Sequence, residues 1–400
     1  MSQVTIEDYR EVAPKGAVDF ICRLAERVKG RRFLHVNSTR YGGGVAEILH
    51  RLIPIMNDLR VEARWEVIVG TPAFYSCVRA LQNALQGMEQ VITEEMLETY
   101  LATNADNARR LPLHGDVVMI HDPQPVALVE HRPSEGRWLW RSHGDLTHPQ
   151  RRAWNFLRRY VVRYDATVFS LPRFAQPLPI PQYLIHPSID PLSDKNRRLG
   201  RQEIDAILDR LQVPRDKPIL LQVSRFERFK DPLGVINAFR MARKHNDCRL
   251  ILAGGGAPDD PEGQAVLAEV REAAGRDPDI HVLELPPDAH LEINALQRAA
   301  TIVIQKSIRE GFGLAVSEAM WKGKPVVGGA VGGLMVQVIH DVTGYLVNSP
   351  EGAAFWIRHL LNNPELISRM GGAGREHVRR NFLVTRHLSD YLTLLVRLVA

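Results

Sequence analysis

Short apolar runs and stretches of helical period take turns along this chain. In the first half the runs Arg32–Asn37, Ala63–Val69, Val117–His121, Trp138–Ser142 and Thr167–Ser170 have the length and composition of strands, and helical segments lie between them. That alternation predicts parallel sheets wound by helices. Pro172, Pro177, Pro179, Pro181, Pro187 and Pro191 then break any regular element, which makes this stretch the expected linker. The pattern restarts with Pro218–Ser224, Arg249–Ala253, His281–Leu285, Thr301–Ile304 and Pro325–Val327, each followed by a helical stretch. Two doubly wound α/β domains are therefore expected, with strand ends lining a cleft where such sheets bind ligands. Thr385–Val399 has leucines at helical spacing and is expected to form a last helix.

Composition agrees with two domains and narrows the partners. The 400 residues exceed what one hydrophobic core usually serves, and 45% hydrophobic with 24% charged residues is ordinary for a globular protein. The net charge of +5 suits anionic ligands, but the basic residues are dispersed and runs such as Arg151-Arg152 and Arg158-Arg159 are short. Nucleic acid is not an expected partner. Cys22, Cys77 and Cys248 are far apart and form no C-x-x-C pair, so reduced, buried thiols are expected. The sequence near Met1 has no apolar signal region, and no apolar segment is long enough to span a bilayer, so no membrane and a cytoplasmic location are expected.

The segment Ser307-Ile308-Arg309-Glu310-Gly311-Phe312-Gly313-Leu314, continued by Ser317-Glu318-Ala319-Met320, carries the strongest chemical signal. It predicts a strand, a loop holding Glu310, and a helix from Leu314 to Trp321 with Glu318 about two turns in. Gly311 and Gly313 let backbone approach a ligand, and the free N–H groups at a helix start attract phosphate or sugar oxygens. A polyhydroxylated, negatively charged ligand fits that place; two solvated glutamates beside a turn are the alternative.

Two further loops fit the same ligand. Gly42, Gly43 and Gly44 follow the first strand and open a helix, so their N–H groups can seat a diphosphate, unless they merely let strand and helix pack closely. Arg225 leaves the strand Pro218–Ser224 and Lys230 precedes the next helix, so both cations can lie at that strand's end, where a guanidinium grips phosphate bidentately and an ammonium supplies a movable charge. The strand Trp138–Ser142 ends in polar residues, with Arg141, His143, Asp145 and His148. Read with His121 and Asp122 these suggest a metal, but no complete ligand pattern appears and no metal site is expected. Asp259-Asp260 follows a glycine-rich loop and suggests helix capping.

Together these motifs resemble the retaining, nucleotide-sugar-dependent glycosyltransferases of family 4, whose fold is GT-B, two Rossmann-like domains facing a cleft. Longer stretches, His35–Thr39 with Gly42–His50, His121–Pro125, Pro187–Ser193 and Ser307–Lys324, resemble the trehalose glycosyltransferring synthases of that family. The likeness runs from about Tyr9 to Tyr391.

The resemblance implies domains at 1–190 and 191–380, with 381–400 as a helix crossing back to the first. It implies transfer of glucose from a nucleoside diphosphate glucose (UDP-, ADP- or GDP-glucose) to free glucose, giving α,α-trehalose reversibly and with retention. Glu310 would lie against the donor sugar, Glu318 would hold the ribose, and Arg225 with Lys230 would neutralise the leaving diphosphate, so that Glu310, His143, Arg225 and Lys230 are the catalytic expectation. Donor binding would fall to Gly43, Gly44, Arg225, Lys230, Gly311, Phe312, Gly313, Leu314 and Glu318. The acceptor would meet His143, Asp145 and Arg141. No cofactor is required, and magnesium travelling with the nucleotide and a homodimer stay open. A double displacement would need a nucleophile, for which Asp145 is the one candidate; the resemblance implies front-face attack instead, with the leaving phosphate accepting the acceptor's proton. The chain departs from the family pattern at Ser142 and Gly144 and after Leu171, on the acceptor side. A GT-B nucleotide-sugar 2-epimerase, another family 4 acceptor, or a non-catalytic nucleotide-sugar sensor are the alternatives.

Overall fold

The apolar runs pair side by side in parallel, because strands buried on both faces can be covered only by the helices that join them. The computed structural model describes residues 4–41, 43–255 and 261–399, so Gly42 and the Asp259-Asp260 pair lie outside the described residues. The chain forms two compact units, one reaching to Ser188 and including the helix Val384–Val399, the other Ile189–Leu383.

The first unit holds β1 (Arg32–Asn37), β2 (Glu62–Val67), β3 (Val117–His121), β4 (Arg137–Ser142), β5 (Ala166–Phe169) and β6 (Gln182–Leu184). They pair in parallel in the order β2-β1-β3-β4-β5-β6. The chain leaves β1 for one edge, then returns to its other side at β3, so the strand order switches between β1 and β3. Such switch points open a crevice at the strands' C-terminal ends. The strand β6 lies inside the proline-rich stretch that was expected to hold no regular element. It is an edge strand entered just after Pro181, a place that needs no donor from the proline.

The helix Val384–Val399 packs against the helices Ala17–Arg27 and Gly44–Asp58 of the first unit through a buried face that includes Val384, Leu388, Leu392 and Leu395. Arg386 fixes its start by donating to the carbonyls of His186, at 2.7 Å, and Pro187, at 3.0 Å.

The second unit repeats the plan with β7 (Ile219–Val223), β8 (Arg249–Gly254), β9 (Ile280–Glu284), β10 (Ile302–Gln305), β11 (Val326–Gly329) and β12 (Gly344–Val347). Their parallel order is β12-β11-β10-β7-β8-β9, so the switch falls between β7 and β10. Leu220, Leu250, Leu252, Ile302, Ile304 and Val327 form the sheet's share of the core and meet Phe239 and Ile357 from the covering helices. Each such side chain contributes roughly 1.5–3 kcal/mol on burial. The short edge strand β12 opens on a glycine and is too brief to stand out in the sequence. Among the described residues no helix is long and apolar enough to cross a membrane. Cys77 and Cys248 are buried, and burial pushes both thiols up to about 11.

Candidate active site

The switch point of the second unit brings two expected loops together. The loop after β7 carries Arg225 and Lys230, and the loop after β10 carries Glu310. Lys230 Nζ donates to both carboxylate oxygens of Glu310, at 2.8 and 2.7 Å, and Ser307 Oγ donates to Oε2 at 3.0 Å. The loops are also joined by backbone, Ile308 N–H to Phe229 C=O at 2.9 Å, while Gln222 Nε2 holds the Lys230 carbonyl at 2.8 Å. Lys306 pairs with Asp231, whose carboxylate also caps the helix Pro232–Arg243. Arg225 stands apart: its side chain is 65% exposed and meets Glu227 at 2.9 Å.

The Glu310 loop is shaped by glycine. Gly313 has φ +86° and caps the helix Leu314–Trp321; a Cβ there would come within 2.9 Å of Leu334 and 3.2 Å of the Glu310 side chain. At Gly332, φ +45°, a Cβ would meet the Glu310 carbonyl oxygen at 1.7 Å, so the loop after β11 can press on the Glu310 backbone only as glycine. Phe312 is buried against Phe382, and Gln337 Nε2 donates to the Gly313 carbonyl at 3.3 Å. Gly311 and Leu314 complete the turn into the helix, whose first N–H groups have no partner within the helix itself.

Glu318 is the fifth residue of that helix, a little over one turn in rather than two. Its carboxylate is buried, with Gln297 Nε2 at 3.3 Å from Oε2 and Lys195 Nζ at 3.8 Å from Oε1. Gln297 is itself oriented by Lys322, whose Nζ donates to Gln297 Oε1 at 2.6 Å and to Asn196 Oδ1 at 2.9 Å.

In the first unit the residues sit at the ends of β1, β3 and β4. Gly43, φ +81°, caps the helix that begins at Gly44. His143 follows β4; its backbone N–H is held by Asp122 Oδ1 at 2.9 Å, and its Nε2 lies 3.0 Å from His121 Nδ1 and 3.2 Å from Arg141 Nε. His121 Nε2 in turn lies 3.0 Å from His35 Nδ1. Burial, helped by the Arg141 cation, holds all three rings well below the usual histidine range, His35 near 3. Burial also lifts Asp122 to about 6, against the His143 N–H and Arg141. Asp145 folds on its own loop, its Oδ1 accepting from the Thr147 N–H at 2.9 Å and hydroxyl at 2.6 Å. Arg141, expected at the acceptor, is fully buried; NH2 reaches the Ile185 carbonyl at 3.1 Å and the cation lies 5.3 Å from the Tyr391 ring centre. A ligand arriving at the end of β4 would meet His143 before Arg141. Among the described residues no three His, Cys, Asp or Glu side chains converge as a metal site.

Residues 35–176 match the family described as trehalose synthase, N-terminal domain, and residues 203–377 match glycosyl transferases group 1. A trehalose synthase of Pyrococcus horikoshii is 45% identical over 98% of this chain and 95% of its own. The chain belongs to the trehalose synthase family. A second relative in that family, from Thermococcus litoralis, is 43% identical over 98% of this chain and 96% of its own. Among solved structures, a UDP-forming α,α-trehalose-phosphate synthase of Burkholderia xenovorans superposes with a TM-score of 0.75 at 14% identity, covering 91% of this chain and 99% of that one. The paired sheets and this likeness make the fold GT-B.

For this trehalose synthase family chain, then, the second unit gathers Lys230, Glu310, Gly311, Phe312, Gly313, Leu314 and Glu318 along one strand-end and helix start, with Arg225 exposed on the loop after β7. The first unit gathers Gly43, Gly44, His143 and Asp145 at its own strand ends and keeps Arg141 beneath. Sequence reasoning did not single out His35, Gln222, Gln297, Ser307 or Lys322 as supports. A usable signal was present: polar residues near the ends of otherwise apolar strands, as in Leu34-His35-Val36-Asn37, Leu221-Gln222 and Ile304-Gln305, are expensive to bury without a purpose.

One support has a measurable pH signature. Burial holds Lys322 down to about 7 from an ordinary 10.5, only partly offset by Glu318. Between those values the unfolded chain binds a proton that the folded one does not, so folding stability should rise with pH across that window. Chemical denaturation of wild type and Lys322→Met at several pH values checks this; wild type is expected to gain stability relative to the variant from pH 7 upward. Parallel curves would refute it.

Proposed function

We propose that this protein is a retaining glucosyltransferase that moves glucose from a nucleoside diphosphate glucose to the anomeric hydroxyl of free glucose, forming α,α-trehalose. The observation that carries the reading is the Lys230–Glu310 pair at the switch point, a cation and a carboxylate side by side at the start of a helix. Lys230 and the largely exposed Arg225 would take the diphosphate, where charge develops as the sugar leaves. Glu310 would face the transferred glucose and support its positive charge, and Glu318 would bind the ribose hydroxyls. A magnesium ion carried by the nucleotide would add to the phosphate charge balance.

We assign retention to attack on the leaving-group side. The C1–O bond to phosphate breaks, the acceptor oxygen bonds to C1 on the same face, and the acceptor's proton passes to a phosphate oxygen. Asp145 suits a loop-ordering role better than that of a nucleophile, since Oδ1 already accepts twice from Thr147.

The test is to incubate the protein with UDP-, ADP- and GDP-glucose plus glucose and identify products by chromatography. Trehalose and nucleoside diphosphate in equal amounts are expected; nucleoside diphosphate without disaccharide would favour an epimerase or hydrolase. Glucose should also outrun glucose 6-phosphate at equal concentration. A phosphorylated acceptor needs a cationic grip. The loop His143–His148 has no lysine or arginine, and the neighbouring Arg141 is buried. Preference for the phosphorylated sugar would overturn the acceptor assignment.

Donor affinity offers a further check. Arg225→Ala and Glu318→Ala should each weaken nucleoside diphosphate binding by about ten- to a hundredfold, the cost of roughly 1.5–3 kcal/mol for a lost charged hydrogen bond. Arg225→Ala should do so without lowering thermal stability, because its side chain is largely in solvent. Titration calorimetry and a melting curve decide both points.

A further inference from the structure

We propose that Arg141 sets the tautomers of a buried chain of three histidines, His143, His121 and His35, so that His143 presents Nδ1–H as a hydrogen-bond donor and does not serve as a base. The inference rests on the reading that His143 lies at the reacting sugar, and it makes Arg141 a positioning residue acting through His143.

The histidine chain starts at a group that cannot accept. A guanidinium has only donors, so Arg141 Nε–H must donate across the 3.2 Å to His143 Nε2. That nitrogen therefore holds the lone pair, and the neutral ring keeps its proton on Nδ1. His121 Nδ1 faces the same lone pair at 3.0 Å and is complementary to it only when protonated. The His121 lone pair is then on Nε2, which accepts from His35 Nδ1–H at 3.0 Å. The chain ends at His35 Nε2, buried and without a partner among the described residues.

The reverse orientation is worse at both ends. Arg141 would point a donor at another donor, and His35 would bury an N–H with nothing to receive it, a rarer and costlier orphan than an unused lone pair. The ring centres lie 5.3 Å apart with planes at 20° and 25°, so the rings meet nearly edge to edge through the nitrogens that are 3.0 Å apart. Adding a proton to the chain is opposed by burial and by Arg141 itself.

The consequence is chemical. No described residue engages His143 Nδ1, and the ring's acceptor nitrogen is already occupied. His143 can thus donate to a sugar oxygen but cannot take the acceptor's proton, which leaves the phosphate oxygen as the proton's destination.

The test is a multiple-bond proton–nitrogen correlation spectrum of the full chain labelled with ¹⁵N-histidine at pH 7.5, the three rings assigned by single substitution. All three should show a protonated Nδ1 and a bare Nε2. An Nε2–H tautomer or an imidazolium at His143 would overturn the proposal. Arg141→Met should mix the His143 tautomers and lower kcat by about a hundredfold, as misplacement of a reacting group does, with nucleoside diphosphate affinity unchanged. If the spectrum of Arg141→Met equals that of wild type, Arg141 does not set the tautomer. Should that variant fail to fold, the wild-type spectrum still decides. The spectrum needs no turnover, so trehalose formation with an Nε2–H His143 would sink this inference alone, whereas absence of trehalose with Nδ1–H would sink the proposed function alone.

Discussion

Lys230→Met is expected to abolish the proposed glucosyl transfer and to destabilise the protein at the same time, because on that reading one side chain serves both ends. Lys230 and Glu310 are 17% and 7% exposed, with contacts of 2.7–2.8 Å to both carboxylate oxygens. Charges so far from water attract more strongly than surface pairs, and deleting one partner strands the other. Glu310 would keep only the Ser307 hydroxyl among the side-chain contacts seen here. Breaking a buried pair in this way costs about 3–5 kcal/mol. The double variant Lys230→Met/Glu310→Leu should recover most of that loss, since an apolar pair of similar volume can replace a buried ion pair, yet it should remain inactive. Chemical denaturation gives the stability cycle and initial rates the activity. A Lys230→Met protein as stable as wild type would mean that the two charges are not coupled in the folded state.

The fold was legible because its signal is periodicity. Ten strands were expected within one or two residues of where they lie, and the helix Leu314–Trp321 was bounded as found. The two strands that escaped, β6 and β12, are short edge strands, one among prolines and the other opening on glycine, where apolar pattern is weakest. The site was legible for a different reason. Strand order places the β7 and β10 loops beside each other, so Lys230 and Glu310, eighty residues apart in sequence, close a pair that the motif spacing alone does not reveal.

What the sequence hid was depth. Arg141 lies near the end of an apolar strand that leads into a polar loop, so a ligand contact was a fair expectation; the structure turns it inward, over Tyr391 and beneath His143. The same holds for the supports around Glu318. Gln297 lies in one helix and Lys322 just past the end of another, and only packing shows that Lys322 fixes the Gln297 carbonyl oxygen and so turns its amide nitrogen to Glu318. Both cases follow one rule: a polar group near an element's end can face ligand or fold, and the choice is made by neighbours distant in sequence.

Glu310→Gln separates the two roles that the Lys230 pair joins. The amide keeps the size of the carboxylate and an oxygen for Lys230, so the loop shaped by Gly313 and Gly332 should persist. The negative charge is lost, and with it the proposed support for a developing positive charge on the sugar. Turnover at saturating donor is expected to fall by about 10²–10³, the scale seen when one preorganised electrostatic group is removed from a transition state. Nucleoside diphosphate affinity should instead hold or tighten, because Lys230 would no longer share its charge with a carboxylate 2.7 Å away. That opposition is the informative part: an interaction made with the sugar only as it reacts appears in kcat, and one made with the phosphates appears in binding. Calorimetry with nucleoside diphosphate and initial rates on one preparation measure the two quantities. If affinity collapses while turnover at saturation survives, Glu310 belongs to nucleotide binding and the assignment of its carboxylate to the transferred glucose is wrong.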